Sequence, residues 1–469
     1  MDAFRSATDW AAAIRRREVS PVELTDLYLD RIDRLDPQLN AFCFRADDEV
    51  RASAKIAEDA LMATPADELG PFHGVPLPIK DLNDVRGWPT TYGSRGGSSN
   101  AVADDCLVVA RFRAAGFVFL GKTNTPELGT ISCTENDRFG ATRNPWDTSR
   151  TPGGSSGGAG AAVASGMAPM AHASDGGGSI RIPASCNGLV GLKPSRNRIS
   201  TGTNSIEGFA TDGVVSRTVA DTAAALDVLA APDPLFWYNA PPTSRPFTEL
   251  ARLAPGRLRI GVSATPSVDL PVDAEVLAAH AAAVELLAGL GHEMVPVELS
   301  MPDPERFTEA FTIVWNTGSA GLPIDVTAME PLNVALRNMA LGLDSIKYVE
   351  AVYRTQLMSR PIIEPFGRDF DVLLTPTMAC LPPAVGSVWD NAAIDPIMPL
   401  LNSYPMAVFT AIWNIAGLPA ISLPLGRSGT GLPIGVQLVG GAWQDALLLQ
   451  LATQIEQAAP WAAARPPVS

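Results

Sequence analysis

Short apolar runs that alternate with helical stretches are the feature that most constrains what this chain can fold into. The apolar runs occupy residues 117–120, 258–262, 372–374 and 434–438. The helical stretches lie at 107–115, 274–290 and 445–457. Runs without a polar face are typical of strands that are buried between two layers of helices. The pattern therefore predicts an α/β fold whose sheet is covered by helices on both faces.

The whole chain, residues 1–469, is expected to form one large domain. A length of 469 residues would allow about three domains as a first expectation. However, no linker rich in Pro, Gly or Ser and no block of charge divides the sequence. The N-terminal region is expected to be helical, because Ser20, Pro21 and Glu23 match a capping box with a proline in the first turn.

The charge balance disfavours nucleic acid and anionic membranes as partners. Asp and Glu number 50 against 35 Lys and Arg, which gives a net charge of −15 at pH 7, and such a surface repels phosphate groups. The uncharged run at 396–426 contains prolines and asparagines, which favour a buried segment over a membrane span. We expect a monomer or homodimer that acts on a small molecule.

The cysteines and the N-terminus favour a cytoplasmic protein without a metal or cofactor. No cysteine belongs to a Cys-x-x-Cys pair or has a histidine at zinc-binding spacing. The N-terminus leads into the charged residues 15–18 rather than into an apolar signal core. Reduced or buried thiols are therefore expected at Cys43, Cys106, Cys133, Cys186 and Cys380.

Two clusters of glycine and serine, at 153–158 and 175–181, are candidates for the chemistry. Bulky apolar residues are almost missing between 151 and 178, so core packing alone does not explain this stretch. A flexible connector is one interpretation. The other is a loop whose backbone N–H groups bind an anion or an oxyanion. Neither cluster carries the Gly-Lys-Ser/Thr that a phosphate loop requires.

The first cluster also matches the nucleophile elbow of a Ser-His-Asp hydrolase, with Ser155 as the nucleophile. An elbow needs a strand before the serine, whereas residues 144–152 are turn formers. Of the four histidines, His280 and His292 are the downstream candidates for the base. These features alone leave the Ser-His-Asp alternative open.

Lys80 offers a base of a different kind. It ends the apolar run 76–79, and burial of a lysine lowers its pKa toward the range in which the neutral amine accepts a proton. The structural alternative is a lysine that extends to solvent or pairs with Asp81.

Several blocks of the sequence, in order, resemble the amidase signature family. They lie at 74–81, 121–127, 144–147, 153–158, 177–184, 188–194, 414–424 and 431–437. The match extends over most of the chain, with a catalytic core at 65–200, and it is greatest to bacterial amidases of the 6-aminohexanoate-cyclic-dimer hydrolase type. The resemblance implies a single domain with a large mixed central β-sheet covered by helices on both faces.

The resemblance also assigns roles to residues. It implies that Ser179 is the nucleophile, that Ser155 is a bridging serine after a cis peptide bond, and that Lys80 is the base. The backbone N–H groups implied to bind the oxyanion are those of Gly176, Gly177, Gly178 and Ser179. The residues implied to support the site are Gly154, Ser156, Asp175 and Arg181.

Gly176 departs from the family pattern, in which a larger residue commonly follows the aspartate. A glycine there is expected to widen the site near the scissile carbonyl. The variable region at 225–400 is expected to form the substrate pocket, with Phe311 and Trp315 as the candidates. Other aromatic residues that could line the pocket or belong to the core are Trp237, Tyr238 and Phe307.

The implied activity is hydrolysis of an amide through an acyl-enzyme. Aryl amides, esters and carbamates, including urethanes, are expected as further substrates because the same tetrahedral chemistry serves all of them. An alternative within the family is the glutaminase subunit of a tRNA-dependent amidotransferase. The acidic charge of this chain offers no basic surface for tRNA.

Overall fold

The computed structural model describes residues 1–203, 205–299 and 303–469. Helices and β-strands alternate through most of these residues. The helices are α1 (Ala7–Arg15), α2 (Pro21–Leu39), α3 (Asp47–Ala63), α4 (Leu107–Ala114), α5 (Gly157–Ala164), α6 (Arg181–Asn187), α7 (Val219–Leu229), α8 (Phe247–Leu250), α9 (Ala274–Gly289), α10 (Pro304–Ala320), α11 (Pro331–Leu341), α12 (Ser345–Ile363), α13 (Met398–Asn402), α14 (Tyr404–Ala407), α15 (Ala411–Ala416) and α16 (Asp445–Ala458).

The strands form one large sheet and two small ones. They are β1 (Phe42–Phe44), β2 (Pro76–Lys80), β3 (Val118–Thr123), β4 (Glu135–Asn136), β5 (Gly140–Ala141), β6 (Met170–Asp175), β7 (Val190–Lys193), β8 (Thr211–Ser216), β9 (Arg259–Val262), β10 (Glu293–Pro296), β11 (Val372–Pro376), β12 (Ala420–Arg427) and β13 (Pro433–Gly440). The large sheet has the order β10-β9-β11-β13-β12-β7-β8-β6. Its β10, β9 and β11 are parallel, and the pairs from β11 to β6 are antiparallel. The sheet is therefore mixed, as expected, and helices cover both of its faces.

The apolar runs form strands because each lies in the interior. Every residue of β11 and of β13 is buried, and β13 pairs with β11 on one side and β12 on the other. The expected helices at 107–115, 274–290 and 445–457 are present, each with its C-terminal end shifted by one residue. Helix α2 begins with the expected capping box, in which Ser20 Oγ accepts from the N–H of Glu23 and the Glu23 carboxylate accepts from the N–H of Ser20.

The uncharged segment at 396–426 folds into three short helices, α13 to α15, and most of β12. None of the helices formed by the described residues combines the length and the apolar character that crossing a bilayer requires.

The three-stranded sheet, with the order β1-β3-β2, positions the candidate base. Strand β2 pairs in parallel with β3 and ends at Lys80. The backbone N–H of Lys80 donates to Nδ1 of His172 on β6 at 3.2 Å. This hydrogen bond joins the small sheet to the edge strand of the large one.

Candidate active site

Lys80 is fully buried, and its ammonium group contacts two serine hydroxyls. Nζ donates to Ser155 Oγ at 2.8 Å and to Ser174 Oγ at 3.0 Å. Burial lowers the pKa of the Lys80 ammonium to about 7, against the opposing effect of nearby carboxylates. The neighbouring Asp81 does not pair with Lys80, because its carboxylate faces Lys122 Nζ at 3.1 Å. The amine can therefore exist in its neutral form near neutral pH.

Ser155 is held by a close approach of two backbone segments. The Gly154–Ser155 peptide bond is cis. A Cβ atom at position 154 would lie 2.6 Å from the carbonyl oxygen of Cys133, so only glycine fits there. Ser156 is buried beside it and donates from Oγ to the carbonyl oxygen of Ser174 at 3.2 Å. Its hydroxyl therefore contacts the backbone of β6 and not Lys80.

Ser174 and His172 are contacts of Lys80 that the sequence analysis missed. Both lie on β6, two residues apart, and successive side chains of a strand alternate between its faces. His172 Nδ1 accepts from the Lys80 N–H, and His172 Nε2 lies 2.9 Å from Asp212 Oδ1. The period-two spacing of His172 and Ser174 ahead of Asp175 was the signal that could have identified them.

Asp175 and Arg181 hold the loop that carries Ser179. Their side chains are fully buried and form an ion pair, with Arg181 Nη2 2.9 Å from Asp175 Oδ1. Asp175 also accepts from the backbone N–H groups of Gly178 at 2.7 Å and Ile180 at 3.2 Å. Burial opposes ionisation, but Arg181 and the side chain of Asn414 outweigh it and hold the pKa of Asp175 well below its usual range.

Arg181 extends this network to the C-terminal third of the chain. Its Nη1 donates to the Thr410 carbonyl at 3.0 Å and to Gln437 Oε1 at 2.8 Å. Its Nη2 donates to Asn414 Oδ1 at 2.6 Å. Thr410, Asn414 and Gln437 each lie more than two hundred residues from Arg181 in the sequence, so sequence spacing does not reveal these contacts.

The backbone N–H groups expected at the oxyanion site differ in what they contact. The N–H of Gly178 is engaged by Asp175, so it is not free to bind a substrate oxygen. The remaining candidates for binding the oxyanion are the N–H groups of Gly176, Gly177 and Ser179. Gly178 instead contributes by fixing the loop.

Two cavities meet at Ser179, whose side chain is nearly buried. The first has a volume of about 120 Å³ and a mainly apolar wall that includes Phe307, Phe311 and Ile412. The second has a volume of about 250 Å³ and contains both Ser155 and Ser174. No hydrogen bond joins Ser155 Oγ to Ser179 Oγ, although both residues line the second cavity.

Trp315 lines both cavities and corrects the expectation for Gly176. A Cβ atom at position 176 would lie 2.8 Å from Cζ3 and 3.0 Å from Cη2 of Trp315. The expected widening is therefore wrong, because the indole ring occupies the space that a larger residue would fill. Phe311 stacks on this ring with centroids 5.5 Å apart. The two candidate pocket residues thus form one aromatic wall.

Two other aromatic residues lie away from the cavities. The side chains of Trp237 and Tyr238 are 86% and 52% exposed, and neither lines these cavities. The two candidate histidines, His280 and His292, have partners other than Ser155. His280 Nε2 contacts the Leu374 carbonyl, and His292 contacts Gln454 and the N–H of Leu258. Among the described residues, Ser155 Oγ has a hydrogen bond with Lys80 and none with a histidine, so the Ser-His-Asp interpretation has no base in this structure.

The described residues contain no group of three or more His, Cys, Asp or Glu side chains arranged to hold a metal ion. All five cysteines are free thiols. Burial raises the pKa of the thiols of Cys133 and Cys186 well above its usual value.

Known proteins match this chain over almost its full length. A family model described as Amidase matches residues 23–449. The 6-aminohexanoate-cyclic-dimer hydrolase of Paenarthrobacter ureafaciens is 35% identical over 489 residues, which cover 99% of this chain and 97% of that protein.

Solved structures also match this chain over almost its full length. A 6-aminohexanoate cyclic dimer hydrolase complexed with substrate matches with a TM-score of 0.93 and 34% identity, and the match covers 100% of both chains. A bacterial aryl acylamidase of the amidase signature family matches with a TM-score of 0.88 and 26% identity over 99% of each chain.

Proposed function

The chain belongs to the amidase family and is a hydrolase of amide bonds, and from that premise we propose that it works through a Ser179 acyl-enzyme activated by Ser155 and Lys80. The observation that carries the proposal is the buried Lys80, whose Nζ contacts Ser155 Oγ at 2.8 Å. A lysine with a pKa of about 7 is matched to proton transfer near neutral pH.

In the proposed first step, Ser155 relays a proton. Neutral Lys80 accepts the hydroxyl proton of Ser155, and Ser155 takes the proton of Ser179. Ser179 Oγ then forms a bond to the carbonyl carbon of the amide, whose π electrons move to the oxygen. The N–H groups of Gly176, Gly177 and Ser179 stabilise this oxyanion, and a single donor of this kind contributes about 3–4 kcal/mol in comparable sites.

The second half of the reaction returns the proton. The oxyanion re-forms the carbonyl, the C–N bond breaks, and the leaving amine takes the proton from the Lys80 ammonium through Ser155. Water then attacks the ester of Ser179 and loses its proton by the same relay. The carboxylic acid is released, and Ser179 and neutral Lys80 are restored.

The proposed substrates are small amides with an apolar group that fits beside Phe307 and Phe311. Two relatives support this range, since one is named for a 6-aminohexanoate cyclic dimer and the other for aryl acylamides. We extend the range to esters and carbamates, because attack by Ser179 on those carbonyl carbons follows the same steps. Release of amine and CO₂ from a soluble aryl carbamate is the measurement for the urethanase activity.

Labelling with a fluorophosphonate tests the nucleophile without knowledge of the substrate. Peptide mapping should place the adduct on Ser179 in the wild type, and Lys80→Ala should prevent its formation. An adduct on Ser155 that persists in Lys80→Ala would contradict the proposed roles.

Turnover of an aryl amide tests the same roles in catalysis. Ser179→Ala should abolish turnover, while Ser155→Ala and Lys80→Ala should each reduce kcat by at least about a hundredfold. The assay uses the purified single chain without glutamine, ATP or partners. Turnover that required these additions would favour the glutaminase subunit of an amidotransferase instead.

A further inference from the structure

Asp212 introduces a negative charge into the cavity beside the nucleophile. It lies on β8 and, among the described residues that line the 250 Å³ cavity, it is the only one with a charged side chain at neutral pH. The other polar groups of this wall are neutral amides and hydroxyls, such as Asn83, Thr201 and Ser319. The carboxylate therefore sets the charge of the cavity.

The two oxygens of this carboxylate have different surroundings. Oδ1 accepts from Asn83 Nδ2 at 3.1 Å and from His172 Nε2 at 2.9 Å. No described residue donates a hydrogen bond to Oδ2. The side chain is 9% exposed and lines the cavity, and Oδ2 is not fully buried, so a ligand in the cavity can reach it. A donor group that enters the cavity can therefore bind Oδ2 without displacing a hydrogen bond of the protein.

His172 does not neutralise the charge of Asp212. Its Nδ1 accepts from the backbone N–H of Lys80, so Nδ1 carries no proton. The proton of the ring therefore resides on Nε2, where it is donated to Asp212. The imidazole is neutral in this arrangement, and it orients the carboxylate without balancing it.

Lys80 does not form the missing contact either. Its Nζ donates to Ser155 and Ser174, and it has no hydrogen bond to Asp212. The proposed mechanism requires the neutral form of Lys80, and burial makes this form available by lowering the pKa of Lys80 to about 7. The cavity is left with an uncompensated negative charge when the enzyme is ready to react.

We propose that this cavity is a subsite for a cationic nitrogen group of the substrate, such as a primary ammonium, which donates to Asp212 Oδ2. The inference rests on the proposed function, because Ser179 lines this cavity and the apolar cavity alike. An amide whose carbonyl lies at Ser179 extends its two sides into the two cavities. The preferred substrate thus carries an apolar group on one side of the amide and a cation on the other.

Matched pairs of amides test the proposal. Each pair consists of an ω-aminoacyl 4-nitroanilide and its isostere with a terminal methyl group in place of the ammonium, over several chain lengths. A second series places the ammonium on the amine side of the amide. The quantity compared is the ratio of kcat/KM for the cationic amide to that for the neutral isostere, at one pH.

In the wild type this ratio should exceed about ten for the best pair, as expected for a hydrogen bond to a charged group. Asp212→Asn should reduce the ratio to about one or below. If Asp212→Asn also alters Lys80, kcat/KM falls by the same factor for the cationic and the neutral amide, and the ratio does not change. Ser319→Ala is the matched control, because it removes a neutral hydroxyl from the same cavity and should keep the cationic preference.

A wild-type ratio near or below one in both series would overturn the proposal, and so would an equal fall of both rates in Asp212→Asn. Fluorophosphonate labelling of Ser179 in each variant shows that the site is folded and separates this outcome from failure of the proposed function. If the amides are not turned over, calorimetric binding to Ser179→Ala gives the same comparison. Equal affinity of that variant for the cationic and neutral amides would also refute the subsite.

Discussion

Removal of the Ser174 hydroxyl is expected to shift the pH dependence of catalysis. Ser174 Oγ accepts from Lys80 Nζ at 3.0 Å and is one of two hydroxyls that contact this group. The charged ammonium benefits more from this acceptor than the neutral amine does. A Ser174→Ala substitution should therefore lower the pKa of Lys80.

The size of the shift follows from the energies of the hydrogen bonds. A bond that involves a charged group contributes about 1.5–3 kcal/mol, and a neutral one contributes about 0.5–1.5 kcal/mol. The ammonium thus loses about 1 kcal/mol more than the amine. Since one pKa unit corresponds to about 1.4 kcal/mol, the pKa of Lys80 should fall by roughly 0.7 unit.

The assay is kcat/KM for an aryl amide as a function of pH. In the wild type the rate should rise with pH and reach half its maximum near pH 7, because only neutral Lys80 accepts the proton. The midpoint of Ser174→Ala should lie at a lower pH. Ser156→Ala is the control, since its hydroxyl contacts the backbone of Ser174 and not Lys80. A midpoint that stays unchanged or moves upward in Ser174→Ala would refute the reasoning.

Three further predictions concern the loop, the aromatic wall and metals. Asp175→Asn should lower the free energy of unfolding in urea by about 3–5 kcal/mol, because it leaves the Arg181 charge buried without an opposite charge. In the wild type the pKa of Asp175 is depressed, so this stabilisation is present above about pH 4 and is lost as the pH falls below it; unchanged stability would contradict the role of the pair. Gly176→Ala should reduce kcat/KM by about tenfold or more, because its Cβ overlaps Trp315. An unchanged kcat/KM in Gly176→Ala would argue against the overlap. A chelator should leave turnover unchanged, whereas a loss that added metal restores would contradict a metal-free mechanism.

Much of the fold could be predicted because its signals are local. The capping box of α2 and the apolar runs of β11 and β13 are each contained in fewer than ten residues. The candidate triad could be proposed because motifs surround Lys80, Ser155 and Ser179 in the order of a known family. Those motifs specify side chains and their order, and they leave the distances between them undetermined.

The rest of the site depends on contacts between distant segments. Asp212 reaches Asn83 across 129 residues, and Gly176 contacts Trp315 from a different part of the chain. From the sequence, a glycine at position 176 indicates empty space. In the structure, the indole ring of Trp315 fills that space. Such packing is decided by the assembled core, so the sequence led to the wrong expectation at this position.

The proposed base and the proposed nucleophile lie on separate sheets. Lys80 ends a strand of the three-stranded sheet, whereas Ser179 follows the edge strand of the eight-stranded sheet. Turnover therefore requires that the contact between the two sheets is intact. A mild denaturant that separates the sheets can abolish activity before either sheet unfolds.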